Sequence, residues 1–217
     1  MRLRSKEEAI RTISNSALEY EKNLSNNTIL FITSTGNKAT CFEALFLPQN
    51  FKHLTGIRSK LSGADFFDLA VRNRISPDDI ELANDGTTDL KLNVLPQLMS
   101  IHTTARMVGD YDHSKSLLIT DKIAGTVTAA MGFKESKGIY LPNTALKKDV
   151  RDITTQATRR RVIAIFTKPR SDKLYKHLTY IAKGIFIDDN ALSLITQEKV
   201  DSAGIVADSP IPRKPME

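Results

Sequence analysis

The sequence predicts an α+β protein with an N-terminal helix, an antiparallel sheet made of a hairpin and a later meander, and a helical insertion between the two. Three observations carry this. Apolar residues recur at helical spacing from Ile10 to Leu24, and two runs rich in Ile, Phe and Leu flank a Thr-Gly-Asn-Lys turn. From Lys115 onward, short apolar or β-branched runs alternate with Gly-rich or Lys-rich turns.

Each element follows from local chemistry. Ser5-Lys6-Glu7-Glu8 has capping-box spacing, so a helix is expected over residues 6–24, ended by Ser25-Asn26-Asn27. Thr28–Ser34 and Ala39–Leu47 read as strands joined by a tight hairpin at Thr35-Gly36-Asn37-Lys38. Ser62-Gly63-Ala64-Asp65 starts a helix that runs into Phe66, Phe67, Ala70 and Val71. Ser76-Pro77-Asp78-Asp79 caps a shorter one, with proline at its first position. A longer helical pattern spans Leu90–Val108 through Leu95, Leu98, Met99, Ile101, His102 and Ala105, and Pro96 should kink it or mark its true start. Strands are then expected at Ser116–Asp121, Thr126–Phe133, Gly138–Leu141 and Arg161–Thr167. Tyr175–Ala182 fits either a strand or a helix, Ala191–Val200 reads as a helix, and the proline-rich Asp208–Pro215 reads as a frayed end. No repeat or linker divides the chain. One domain is expected over residues 1–217, with a core at 25–185, a helical insert at 62–108 and a C-terminal extension at 186–217.

A chain of 217 residues buries roughly 70% of its unfolded surface, enough for a real core. Its apolar fraction of 41% and charged fraction of 26% describe a globular protein rather than a disordered one. No apolar run of signal-peptide length follows the charged N-terminus, and none approaches the roughly 18 residues of a membrane helix, so a cytoplasmic protein without a membrane partner is expected. The single cysteine, Cys41, excludes an internal disulfide and a Cys-rich zinc site, and its apolar strand suits a buried structural thiol.

A net charge of +6 favours a polyanionic partner, and clustering matters more than the total. Phe51-Lys52-His53-Leu54-Thr55-Gly56-Ile57-Arg58 places an imidazole, a hydroxyl and two cations beside a flexible glycine after the hairpin. Arg159–Lys183 adds three consecutive arginines, then Lys168, Arg170, Lys173, Tyr175, Lys176, His177 and Lys183, opposed only by Asp172. Nearby cations depress an imidazole pKa and favour the neutral, proton-accepting form, which suits His53 and His177. His102, on the apolar stripe of a helix, reads as a satisfied structural imidazole, and His113, in a polar turn, as a loop cap. No histidine pair has helical metal-ligand spacing, and Asp78-Asp79 and Asp188-Asp189 read as helix-start and turn residues, so no metal or cofactor is expected. The hairpin turn lacks the second glycine and the Lys-Ser/Thr ending of a phosphate-binding loop.

These residue types suit cleavage of RNA without a metal. That reaction needs a base for the ribose hydroxyl, an acid for the leaving oxygen, and cations for the charge growing on phosphorus. His53, Tyr175 or His177, Lys168 and Arg170 contain those groups. Few aromatic residues lie in the basic segment, so a structured RNA such as a tRNA fits better than a long single strand.

At these residues the sequence resembles the fourth family of phage-associated nuclease domains grouped with barnase, EndoU, colicin and RelE. The likeness rests on Asn50–Ile57, on Lys91–Met99 with Ile101-His102, on Met131-Gly132-Phe133, on Pro142–Leu146 with Asp149–Asp152, and on Tyr175–Lys183. It implies an N-terminal helix on an antiparallel sheet, a metal-independent ribonuclease of phage, mobile-element or toxin type, and an antitoxin or immunity protein as partner. Together with the residue reading it makes His53, Thr55, Lys168, Tyr175 and His177 the catalytic candidates. Lys52, Arg58, Arg151, Arg159, Arg160, Arg161, Arg170, Lys173, Lys176 and Lys183 are the candidate RNA contacts. Two other readings stay open: a non-catalytic nucleic-acid-binding accessory protein, and a protein-interaction module whose charge is incidental.

Overall fold

The computed structural model describes residues 4–35, 38–115, 118–186, 195, 198–201 and 204–211. Helix α1 (Lys6–Asn23) begins at the expected capping box, in which the Ser5 side chain and the Glu8 side chain each hold the other's backbone N–H. Its buried stripe of Ala9, Ile13, Ala17 and Tyr20 packs onto the helices of the insertion. Strands β1 (Asn27–Thr35) and β2 (Lys38–Phe46) pair antiparallel from Asn27↔Phe46 to Thr35↔Lys38.

After the hairpin come α2 (Phe51–Thr55) and, within the insertion, α3 (Gly63–Val71), α4 (Thr87–Leu98) and the single turn α5 (Ile101–Thr104). Pro96 sits inside α4, which stops two residues later, so the long helical pattern is two helices with a break. Its expected last turn is strand instead: Met107–Asp110 forms β3. The remaining strands are β4 (Lys122–Gly125), β5 (Ala130–Ser136), β6 (Ile139–Leu146), β7 (Arg160–Pro169), β8 (His177–Ile181) and β9 (Val206–Ala207), with a short helix α6 (Val150–Ile153) before β7. The run predicted as a strand up to Asp121 is irregular over residues 118–121, and the strand begins at Lys122 instead.

The sheet is not an open meander. Strands follow the order β1-β2-β6-β5-β4-β3-β7, and β7 pairs back onto β1 to close a seven-stranded barrel. Two features permit closure. A single parallel pair, Ala44↔Tyr140, joins β2 to β6. One edge of β7 is shared, with Arg160 and Arg161 facing β3 and Ala164–Thr167 facing β8. Closure leaves few free strand edges, and β9 covers the outer edge of β8 in parallel. Phe31, Phe42, Phe46 and Phe133 meet in the interior, continuous with the core under α1–α4.

A second cluster lies on the outer face of β1, β7 and β8, where Leu30, Ile32, Phe166, Tyr175 and Leu178 are covered by Val200 and by Ile195, Ile205 and Ile211 of the C-terminal extension. Most of the Ala191–Val200 helix, the Asp188-Asp189 turn, the hairpin tip Gly36-Asn37 and the proline-rich residues after Ile211 lie outside the described residues. Cys41 is half-buried against this cluster, and burial pushes its thiol pKa up.

Glu43 bolts the extension to the barrel: it accepts from the Tyr175 hydroxyl at 2.9 Å and pairs with the Lys199 ammonium. Burial pushes the Glu43 carboxyl up, but these two donors outweigh it and hold its pKa below the ordinary 4.5. A depressed folded-state value adds stability above the unfolded value that is lost as pH falls through the folded one. Glu43→Ala is therefore expected to cost about 1–3 kcal/mol in urea unfolding at neutral pH, since it strands a buried hydroxyl. The gap between variant and unmodified protein should then close as the pH is lowered below about 4.5, the ordinary value.

Candidate active site

The Phe51–Arg58 segment is a capped helix rather than a flexible loop. Phe51 and Leu54 are buried against α1 and α3, and Gly56 (φ 70°) ends α2 in the left-handed region. A side chain at Gly56 would meet Lys91 Cδ at 2.8 Å, so glycine also lets α4 approach. The Lys52 ammonium donates to the carbonyls of Ser59 (2.8 Å) and Leu61 (2.6 Å). Thr55 is fully buried, donating to the Lys52 carbonyl and accepting from Ile57 N–H. These two candidates tie the turn together, with Thr55 closed off from a substrate and two of the three Lys52 ammonium donors taken by backbone carbonyls. His53 is exposed, its carbonyl held by Lys91 Nζ, and burial together with the charges of Lys52 and Lys91 lowers its pKa.

Much of the second basic segment is likewise used by the fold. Arg159 donates to Thr154 and to the Arg151 carbonyl, Arg160 to the carbonyls of Ala157 and Arg159, and Arg151 pairs with Asp149 at 2.6 Å. Lys176 faces Asp201 at 3.8 Å. Lys168 holds the carbonyls of Asp172 and Lys173 and lies 5.0 Å from the centre of the Tyr175 ring. Tyr175 is buried on Glu43, and burial with that carboxylate drives its pKa far up, so its hydroxyl is a poor acid. Arg58, Arg161, Arg170, Lys173 and Lys183 are exposed with no side-chain hydrogen bond or ion pair among the described residues. Of the candidate RNA contacts, these five are left for a ligand.

His177 stands differently. It opens β8 opposite Thr167 of β7, and its Nε2 lies 3.1 Å from Asp208 Oδ1. An ionised carboxylate only accepts, so Nε2 carries the proton and the ring is held in one orientation. Nδ1 faces Thr167 Oγ1 at 3.5 Å, too far for a firm hydrogen bond, which leaves it able to exchange a proton. Two residues along β8, the Thr179 hydroxyl binds the carbonyl of His102 and draws α5 over the strand. Arg106, just after α5, lays its guanidinium 4.0 Å from the centre of the Tyr180 ring. Among the described residues no group of three His, Cys, Asp or Glu side chains converges to hold a metal ion.

The two histidine sites do not coincide. His53 lies on α2, its carbonyl held by Lys91 of α4, and His177 lies on β8, where Thr179 binds the His102 carbonyl of α5. No hydrogen bond or ion pair among the described residues links α2 to the segment from Arg160 to Lys183.

A closed barrel with helices α1–α4 packed against its core and a His177–Asp208 pair beside the flanking strand β8 can be set beside known proteins. A family model for the phage-Barnase-EndoU-ColicinE5/D-RelE like nuclease 4 matches residues 12–184. The chain belongs to this nuclease family. Comparisons with curated proteins and with solved structures gave no match.

The matched span of this nuclease runs from the second turn of α1 past β8, so it holds His53, His102, Thr167 and His177. Asp208 falls outside it, in the C-terminal extension. His102, Arg106, Thr167 and Asp208 were not among the candidates read from sequence. Helical periodicity hid His102, the expected frayed end hid Asp208, and no local signal joins position 177 to position 208.

Proposed function

We propose that the protein is an endoribonuclease that cleaves structured RNA by attack of a ribose 2′-hydroxyl on the adjacent phosphodiester, with proton transfer at His177. One observation carries the reading within a nuclease family: His177 is held on its Nε2 by Asp208, while Nδ1 is only loosely engaged. Such an imidazole is placed to transfer a proton through Nδ1, and an acid–base step of that kind contributes roughly 10² to 10⁴ in rate. Arg161 and Lys183 lie near one end of the β7–β8 pair, and Arg170 and Lys173 near the other, so a polyanion laid along the strands meets cations on both sides of His177. His53 and Arg58, on the helical side, are proposed to hold a more distant phosphate of the same RNA.

The test is incubation of the purified protein with total tRNA in excess chelator. The expected result is a set of discrete fragments ending in 2′,3′-cyclic phosphates with 5′-hydroxyl partners. Salt-dependent binding without fragments would instead favour the non-catalytic nucleic-acid-binding reading.

A further inference from the structure

We infer that His102 is a catalytic residue, the second proton-transfer group of the His177 centre, an assignment that rests on the ribonuclease reading above. Its placement comes from the fold. The turn α5 is pinned to β8 by the bond from Thr179 Oγ1 to the His102 carbonyl, only two residues from His177. The His102 Nδ1 is buried without a hydrogen-bond partner, one of three such side-chain atoms among the described residues. An orphaned buried imidazole nitrogen costs stability and calls for a reason. Nε2 also has no protein hydrogen bond among the described residues, and it does not share the burial of Nδ1.

Two neighbours act on this ring electrostatically. Burial and the adjacent His177 both favour its neutral form, against a weaker opposing pull from Asp208. Arg106, just after α5, lies over Tyr180. Two histidines in one site, one half-buried and one carboxylate-bound, divide the roles of base and acid.

Neutral His102 takes the proton of the ribose 2′-hydroxyl as that oxygen bonds to phosphorus. His177, doubly protonated on its carboxylate, gives its Nδ1 proton to the 5′-oxygen as the P–O5′ bond breaks. The products are a 2′,3′-cyclic phosphate and a 5′-hydroxyl. Exchange with water then returns each ring to its starting state, so protons and electrons balance with no other reactant.

The experiment is a pH–rate profile of tRNA cleavage for the unmodified protein, His102→Gln and His177→Gln, with a thermal melt of each. The glutamine at 102 keeps the carbonyl that Thr179 binds. His102→Gln is expected to lose at least about 100-fold in rate and the acid limb of the profile, with its melt unchanged. His177→Gln is expected to lose the alkaline limb. A His102→Gln enzyme with the unmodified rate and both limbs, beside an inactive His177→Gln, overturns the assignment and leaves the ribonuclease reading standing. An unmodified protein that never cleaves RNA overturns both. Should His102→Gln unfold, histidine-ring NMR of the unmodified protein with uridine 3′-phosphate decides. Both rings should shift on binding, and a response from His177 alone overturns the role of His102.

Discussion

A His177→Ala variant is expected to cleave RNA about 10²- to 10⁴-fold more slowly than the unmodified protein while melting at the same temperature. The ring is partly exposed, with 42% of its side chain accessible, and its two contacts are to a surface carboxylate and a long threonine contact. Its loss frees a surface carboxylate and removes a 3.5 Å contact too long to hold the buried Thr167 hydroxyl firmly, so the cost falls on chemistry more than on folding. Asp208→Asn keeps the shape but turns the acceptor into a group that can also donate, so the ring is free to settle in the wrong tautomer. It should give an intermediate loss. His53→Ala belongs in the same assay and is expected to remain within tenfold of the unmodified rate, with weaker binding at high salt. Reversal of that order, with His53→Ala inactive and His177→Ala normal, would move the centre to α2 and sink the proposed site.

Phe133→Ala is expected to destabilise the protein by about 3–5 kcal/mol in urea unfolding, the range for truncating a large core aromatic. Phe133 is fully buried and reaches across the barrel from β5, its ring centre 5.7 Å from that of Phe42, 6.1 Å from Phe46 and 6.4 Å from Phe31. All three contacts are edge-to-face, and the barrel wall holds the partners apart, so the vacated space cannot collapse. With native stabilities of about 5–15 kcal/mol, such a loss brings the variant close to unfolding. Leu18→Ala, on the outer face of α1 and 49% exposed, should shift the same measurement by less than about 0.5 kcal/mol. Equal effects from the two substitutions would mean that the interior of the barrel is not the core of the protein.

Much of the element list was legible because the causes are local. The Ser5–Glu8 box, the Ser62 cap of α3 and the Ile-, Leu- and Phe-rich runs of β1 and β2 sit within a few residues of what they specify. The errors have physical reasons. Ala105–Val108 continues a helical pattern, yet Met107 and Val108 pair with β4 and with the start of β7, where tertiary pairing overrides propensity. The Lys52-His53 segment reads as a loop because the burial of Phe51 and Leu54 that makes it a helix comes from α1 and α3.

The candidate site divides in the same way. Residue types marked out a basic protein with histidines suited to phosphate chemistry, and that much the chain determines alone. Tertiary structure decided which cations are already consumed by carbonyls and carboxylates, and which histidine gains a partner. It carries Asp208 across 31 positions to His177 and sets His102 over β8. The reason is one of range: capping and periodicity act over a single turn or a few residues of strand. A proton-transfer site is made of groups that meet only once the barrel has closed and the C-terminal extension has been laid along its outer edge.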